Sequence, residues 1–118
     1  MLRAFLRTKV HRATVTRVDI AYEGSLSLDE DIMTAAGLAP FERVEVWNVT
    51  NGKRFTTYAI RGGKGSRSVE VYGAAGHKVS VGDIIIVAAY GYMDEAEMEH
   101  FRPTIVLMGE GNAILGMR

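Results

Sequence analysis

Val44-Glu45-Val46-Trp47-Asn48-Val49-Thr50-Asn51-Gly52-Lys53-Arg54-Phe55-Thr56-Thr57-Tyr58-Ala59-Ile60 reads as two β-prone runs around a reversal. From Val44 to Val49 apolar and polar residues alternate, the period of a strand with one face in a core. The run from Arg54 to Ile60 is rich in β-branched and aromatic residues. Asn51 and Gly52 tolerate the positive φ that a tight turn requires, so the stretch predicts a hairpin.

The rest of the chain repeats that pattern. Ser68 to Tyr72, Ile84 to Tyr90, Thr104 to Met108 and Ala113 to Met117 read as further strands, the last two joined by a turn through Gly109-Glu110-Gly111-Asn112. Arg43 to Thr50 faintly echoes Gly82 to Ala89, each a charged turn followed by an apolar strand. Helix signals are confined to two short segments. Ser27-Leu28-Asp29-Glu30 has the form of a capping box; Leu28, Ile32 and Ala36 would share a helical face, and Gly37 can end it. Asp94 to Phe101 carries an Asp and a Glu three apart and stops before Pro103. Many short strands without a long helix predict a mainly β chain closed into a small barrel.

Composition narrows the function. The 118 residues suit one domain, and 47% hydrophobic with 24% charged residues is ordinary globular usage. Fourteen Lys and Arg balance fourteen Asp and Glu, so no net positive field exists to hold nucleic acid. The balance is not uniform: Arg3, Arg7, Lys9, Arg12 and Arg17 precede the first acid, a grouping able to attract carboxylates. Without cysteine there is no disulfide framework, thiolate metal site or cysteine nucleophile. Arg3, Arg7 and Lys9 interrupt the first apolar residues, so neither a signal peptide nor a membrane span can be drawn; a cytoplasmic protein is expected.

Several motifs fail on inspection. Gly62-Gly63-Lys64-Gly65-Ser66 lacks the first glycine of a phosphate loop and is followed by no helix signal. His11, His77 and His100 are far apart and lack the paired spacing of a zinc helix, so no metal is expected. Asn48-Val49-Thr50 fits the glycosylation pattern but should stay bare without an export signal.

Tyr22-Glu23-Gly24-Ser25 on its own reads as an ordinary solvated loop. Its neighbours change that reading. Lys9-Val10-His11-Arg12-Ala13-Thr14-Val15-Thr16, Tyr22-Glu23-Gly24-Ser25, Trp47 to Phe55, Thr57-Tyr58-Ala59-Ile60 and Gly73-Ala74-Ala75 fall in one order and spacing. In these blocks, from Met1 to about Val106, the chain resembles the pyruvoyl-dependent aspartate decarboxylases. The resemblance implies a double-psi β-barrel with short helices, a homotetramer with active sites between subunits, and β-alanine production for pantothenate synthesis.

It also assigns chemistry to residues. A serine hydroxyl is a weak nucleophile that attacks the preceding carbonyl only where the turn aims it, and Gly24 permits that approach. The resulting acyl shift passes through an oxyanion, for which the resemblance implies the Thr57 hydroxyl as donor. Elimination would leave fragments 1–24 and 25–118, the second beginning with a pyruvoyl group derived from Ser25. That ketone can form a Schiff base with L-aspartate and accept the electrons left when carbon dioxide departs. Substrate carboxylates call for cations: Arg54 offers a planar fork, Lys9 a second charge, and both match the family's substrate contacts. The resemblance implies Tyr58 as proton donor. Tyr22, Gly73, Ala74 and Ala75 are expected beside the substrate, and Trp47 as either pocket wall or core. Strand alternation puts Arg54 and Tyr58 on one face and Thr57 on the other, so both faces, or a local twist, must serve the chemistry.

One position departs from the pattern. Where the family usually has Asn-Gly-Ala-Ala-Ala-His, this chain reads Tyr72-Gly73-Ala74-Ala75-Gly76-His77. An amide with a carbonyl and two donors gives way to one phenol O–H on a larger ring. Slower self-cleavage, or dependence on another donor or a maturation factor, is therefore expected. The rival reading is an uncut, non-catalytic barrel that binds a small acid or a protein.

Overall fold

The hairpin is present in the computed structural model, which describes residues 1–118. Strand β4 (Arg43–Asn48) pairs antiparallel with β5 (Arg54–Gly62), Val44 opposite Thr57 and Trp47 opposite Arg54. Of the two turn residues only Gly52 takes a positive φ, 78°. Asn48 does the rest: its Oδ1 accepts from the N–H of Thr50 and Asn51, and its Nδ2 donates to Asp83 and to the Lys78 carbonyl. That buried amide, 2% exposed, explains the Asn-Val-Thr sequence structurally.

The other strands are β1 (Arg3–Thr14), β2 (Arg17–Asp19), β3 (Ser25–Asp29), β6 (Val69–Tyr72), β7 (Ile84–Met93), β8 (Thr104–Met108) and β9 (Ile114–Met117). They form one nine-stranded sheet in the order β2-β6-β3-β5-β4-β7-β1-β8-β9. Three neighbouring pairs, β1 with β8, β2 with β6 and β3 with β5, are parallel. The sheet curls on itself: beyond β1, the Thr16 N–H donates to the Val69 carbonyl of β6 at 2.8 Å, and the Val69 N–H returns to Thr16 Oγ at 2.9 Å. Asn112 staples the same seam, bonding both backbone groups of Thr14 and the Arg67 carbonyl. Twenty buried residues drawn from most strands and from the first helix fill a single core, as in a small β-barrel. The two stretches that echo each other in sequence become neighbours, β4 against β7.

Strand β1 escapes a reading by period. Its ladder with β7 shifts register between Leu6 and Thr8 and again between His11 and Ala13, where Arg12 takes φ 70°. Each bulge moves subsequent side chains to the opposite face, so apolar alternation never accumulates. Strand β2 is only three residues long and carries no comparable signal.

The first helix corrects an expectation. Ser27 and Leu28 belong to β3, paired on both sides, with Ser27 opposite Ile60 and Glu70. Helix α1 (Glu30–Ala36) starts later, capped by Asp29, and ends as expected at Gly37 with φ 68°. Two ladders occupy the Ser27 backbone, so no capping box forms. Helix α2 (Glu95–His100) lies where Asp94 and Pro103 bracket it. Neither helix is long and apolar enough to cross a membrane.

Asp29 also secures the end of β3. Its carboxylate, on a residue 1% exposed, accepts from the backbone N–H groups of Asp31, Gly65 and Arg67 at 2.8, 2.9 and 2.7 Å. Burial opposes its charge, but those three donors and Lys64 outweigh burial and hold the carboxyl below its usual range. Such stability is present above the unfolded-state pKa and is lost as pH falls through the lower folded-state value. Asp29→Ala should therefore lower unfolding free energy by about 3 kcal/mol or more at neutral pH. In denaturant titrations the gap between parent and variant should narrow in acid.

Candidate functional site

Strand β3 is the centre of the site. All five of its residues are buried, because it lies between β6 and β5. Ser25 opens the strand directly opposite Tyr72 of β6, while Leu26 lies level with Ala59 of β5. Continued backwards, the parallel β3–β5 register brings Ser25 level with Tyr58 and Gly24 level with Thr57. The Gly24-Ser25 bond thus faces two successive residues of one strand. Their opposite side-chain directions place Tyr58 on the exposed face and Thr57 towards the core. Of the two, Tyr58 lines the adjoining pocket and Thr57 does not.

A pocket of about 730 Å³ opens in front of this junction, lined by Arg17, Tyr22, Glu23, Ser25, Phe41, Tyr58, Ile60 and Tyr72. Two aromatic pairs bound it: Tyr22 and Tyr72 with ring centroids 5.5 Å apart, Phe41 and Tyr58 with 6.2 Å. Glu23, Phe41 and Ile60 are pocket residues to which the sequence reading gave no role, and Arg17 figured there only as one of a basic group. Phe41 reaches it from a segment without a motif, so only folding reveals it.

Gly73 explains why a glycine follows Tyr72. It has φ 76°, and a Cβ built there would lie 2.5 Å from Gly24 Cα and 2.7 Å from Gly24 N. The backbone of Gly73 is thus pressed against the residue before Ser25. Ala74 is exposed and Ala75 packs on the core, both within the 3-10 turn Gly73–Lys78 and outside the pocket lining.

The phenol of Tyr72 donates to Glu70 Oε2. That hydrogen bond, followed by burial and the Glu70 charge, raises the Tyr72 pKa. In this arrangement the phenol O–H is engaged with Glu70.

Lys9 and Arg54 do not line the pocket of their own chain. Across the sheet, Lys9 is level with Ala88, Ala88 with Glu45 and Glu45 with Thr56, so Lys9, Arg54 and Tyr58 leave the same outer face. Arg54 is four residues from Tyr58, about 13 Å along the strand, and Lys9 is three strands from β5, about 14 Å across. The Arg54 guanidinium instead rests 5.1 Å from the Trp47 ring centroid, which settles Trp47 as an outer-face residue. His11, on the same face as Lys9, has a buried Nδ1 without a partner, and burial followed by the Lys9 charge lowers its pKa. No cluster of three or more His, Cys, Asp or Glu is brought together.

Fold and pocket define a class: a small mainly β protein in which a Gly-Ser junction opens a buried strand inside an aromatic pocket. The family model described as aspartate decarboxylase matches residues 1–115. The aspartate 1-decarboxylase of Ralstonia pickettii (strain 12J) is 46% identical over 118 residues, covering 100% of this chain and 98% of that protein. That of Ralstonia nicotianae is 47% identical over 114 residues (97% and 95%), and that of Burkholderia vietnamiensis 45% over 119 residues (100% and 93%). The chain belongs to the aspartate decarboxylase family.

Proposed function

We propose that the chain is a proenzyme that cuts itself between Gly24 and Ser25 and then decarboxylates L-aspartate to β-alanine, the reaction that supplies pantothenate synthesis. The observation that carries this reading is the position of the junction in a family member: Ser25 is the first residue of β3 and lines the pocket beside Tyr58. Cleavage there touches at most the terminal Ser25–Tyr72 pair, since Leu26 to Asp29 remain paired on β5 and Leu26 to Leu28 on β6. Residues 1–24 stay attached as well, because β1 runs between β7 and β8. The exposed residues 21–24 have room to withdraw and leave the new N-terminus facing the pocket.

These features fit a pyruvoyl group at position 25, which when formed supplies an electron sink for the departing carboxylate. Thr57, level with Gly24, is suited to donate to the carbonyl that Ser25 Oγ attacks. Tyr58, level with Ser25, holds the proton returned after decarboxylation. Tyr22 borders the substrate.

Within one chain the pocket has Arg17 as its cation and Glu23 as its acid, with Glu70 and Asp19 paired to Arg17. That balance does not neutralise two substrate carboxylates. Lys9 and Arg54, on the outer face and too distant in their own chain, serve the pocket of a neighbouring copy in a homotetramer. Gly73 acts by holding Gly24, while Ala74 and Ala75 continue the turn that places it.

Intact mass under denaturing conditions, run beside carbon dioxide release from L-aspartate, tests the reading. Two fragments with turnover support it; a persistent single mass without turnover indicates an uncut barrel and refutes it. Tyr58→Phe should keep the two-fragment pattern and lower kcat about 100-fold or more, the usual contribution of a positioned proton donor.

A further inference from the structure

Three groups hold Tyr72 in one position. Its hydroxyl donates to Glu70, the Tyr22 ring packs against it at 5.5 Å, and the Arg17 guanidinium lies 5.9 Å from its ring centroid. Arg17 is itself tethered by Asp19 at 3.5 Å and Glu70 at 3.9 Å. The strand registers produce this cluster: Arg17 is level with Glu70, and Asp19 with Tyr72, which is level with Ser25. The ring therefore stands directly beside the residue at which chemistry occurs, as a fixed wall of the pocket opposite the Phe41 and Tyr58 pair.

We propose that Tyr72 is a specificity-determining residue, a rigid wall that limits the length of the amino acid accepted at position 25, with Glu70 as its positioning residue. The proposal rests on the decarboxylase reading. A phenol committed to Glu70 has no hydrogen to offer the substrate, so its contribution is its bulk and rigidity. L-Glutamate exceeds L-aspartate by one methylene, and a rigid apolar wall can turn one methylene into roughly a 10-fold or larger preference. A mobile ring would swing aside and lose that discrimination. The ion-paired, hydrogen-bonded clamp removes this freedom.

The experiment compares kcat/KM for L-aspartate and L-glutamate, on fully cleaved protein confirmed by mass, in the parent, Tyr72→Ala, Glu70→Ala and Glu70→Gln. The aspartate-to-glutamate ratio should fall about 10-fold in Tyr72→Ala, mainly through a lower KM for glutamate. Glu70→Ala, which leaves the ring but releases it, should fall in the same direction by a smaller factor. Glu70→Gln, whose amide oxygen still accepts the phenol hydrogen, should stay within about twofold of the parent. Should Tyr72→Ala not mature, Glu70→Ala decides the matter. An unchanged ratio in Glu70→Ala and in any cleaved Tyr72→Ala overturns the wall, while parent turnover of aspartate leaves the decarboxylase reading standing. A parent that is neither cut nor active refutes that reading and this proposal with it.

Discussion

Ser25→Ala protein should remain one uncut chain and release no carbon dioxide from L-aspartate, the largest effect expected of any single change. The substitution removes only the hydroxyl from a residue 4% exposed, and no side-chain hydrogen bond of Ser25 is lost with it. Alanine fits where serine fits, so thermal unfolding should stay close to that of the uncut parent. The loss would then be chemical: without Oγ nothing can attack the Gly24 carbonyl, and no ketone can form at position 25. Mass spectrometry of the variant, incubated for as long as the parent needs to mature, checks the first half of this expectation. The aspartate assay checks the second. Any Ser25→Ala preparation that matures into two fragments would show that another residue supplies the nucleophile.

Gly73→Ala should slow maturation through geometry alone. The position has φ 76°, which penalises a side chain by about 1 kcal/mol. The added Cβ would also meet Gly24 Cα at 2.5 Å and Gly24 N at 2.7 Å. Both are backbone atoms, so relief requires the junction itself to move. A displaced Gly24 no longer presents its carbonyl to Ser25, and each 1.4 kcal/mol of lost alignment slows cleavage about tenfold. We expect cleavage at least about tenfold slower, with unfolding free energy lowered by about 2 kcal/mol. Gly76→Ala is the control. A Cβ there would meet side-chain atoms, Ile20 Cγ2 at 2.8 Å and Val18 Cγ1 at 2.9 Å, and not the backbone of the Gly24-Ser25 junction. Equal slowing in both variants would mean that the turn as a whole, and not the Gly73 contact, controls maturation.

Much of this was legible before folding. Period-two alternation marked β4, which has one face in the core and the other outside it, and unbroken apolar runs marked β7 and β8. Gly37 was readable as a helix end because few residues other than glycine settle at positive φ. Blocks around Lys9, Gly24, Arg54 and Tyr58 pointed to the family. Strand β1 was not legible, since two bulges switch its faces, and the capping box misled because Ser27 is claimed by ladders on both sides.

The sequence by itself determined the mainly β class, the Gly24-Ser25 junction and the family to which the chain belongs, since these depend on local pattern and on residue order. Only the tertiary structure decided which residues meet. Registers of β3 against β5 and β6 bring Ser25 between Tyr58 and Tyr72, residues 33 and 47 positions away, and assemble Arg17, Glu70 and Tyr72 into one clamp. The order of β5, β4, β7 and β1 carries Lys9, and the length of β5 carries Arg54, away from the Ser25 of their own chain. Pairing of distant strands is a property of the packed whole, because the ladder and the core together select one register from several that local pattern allows.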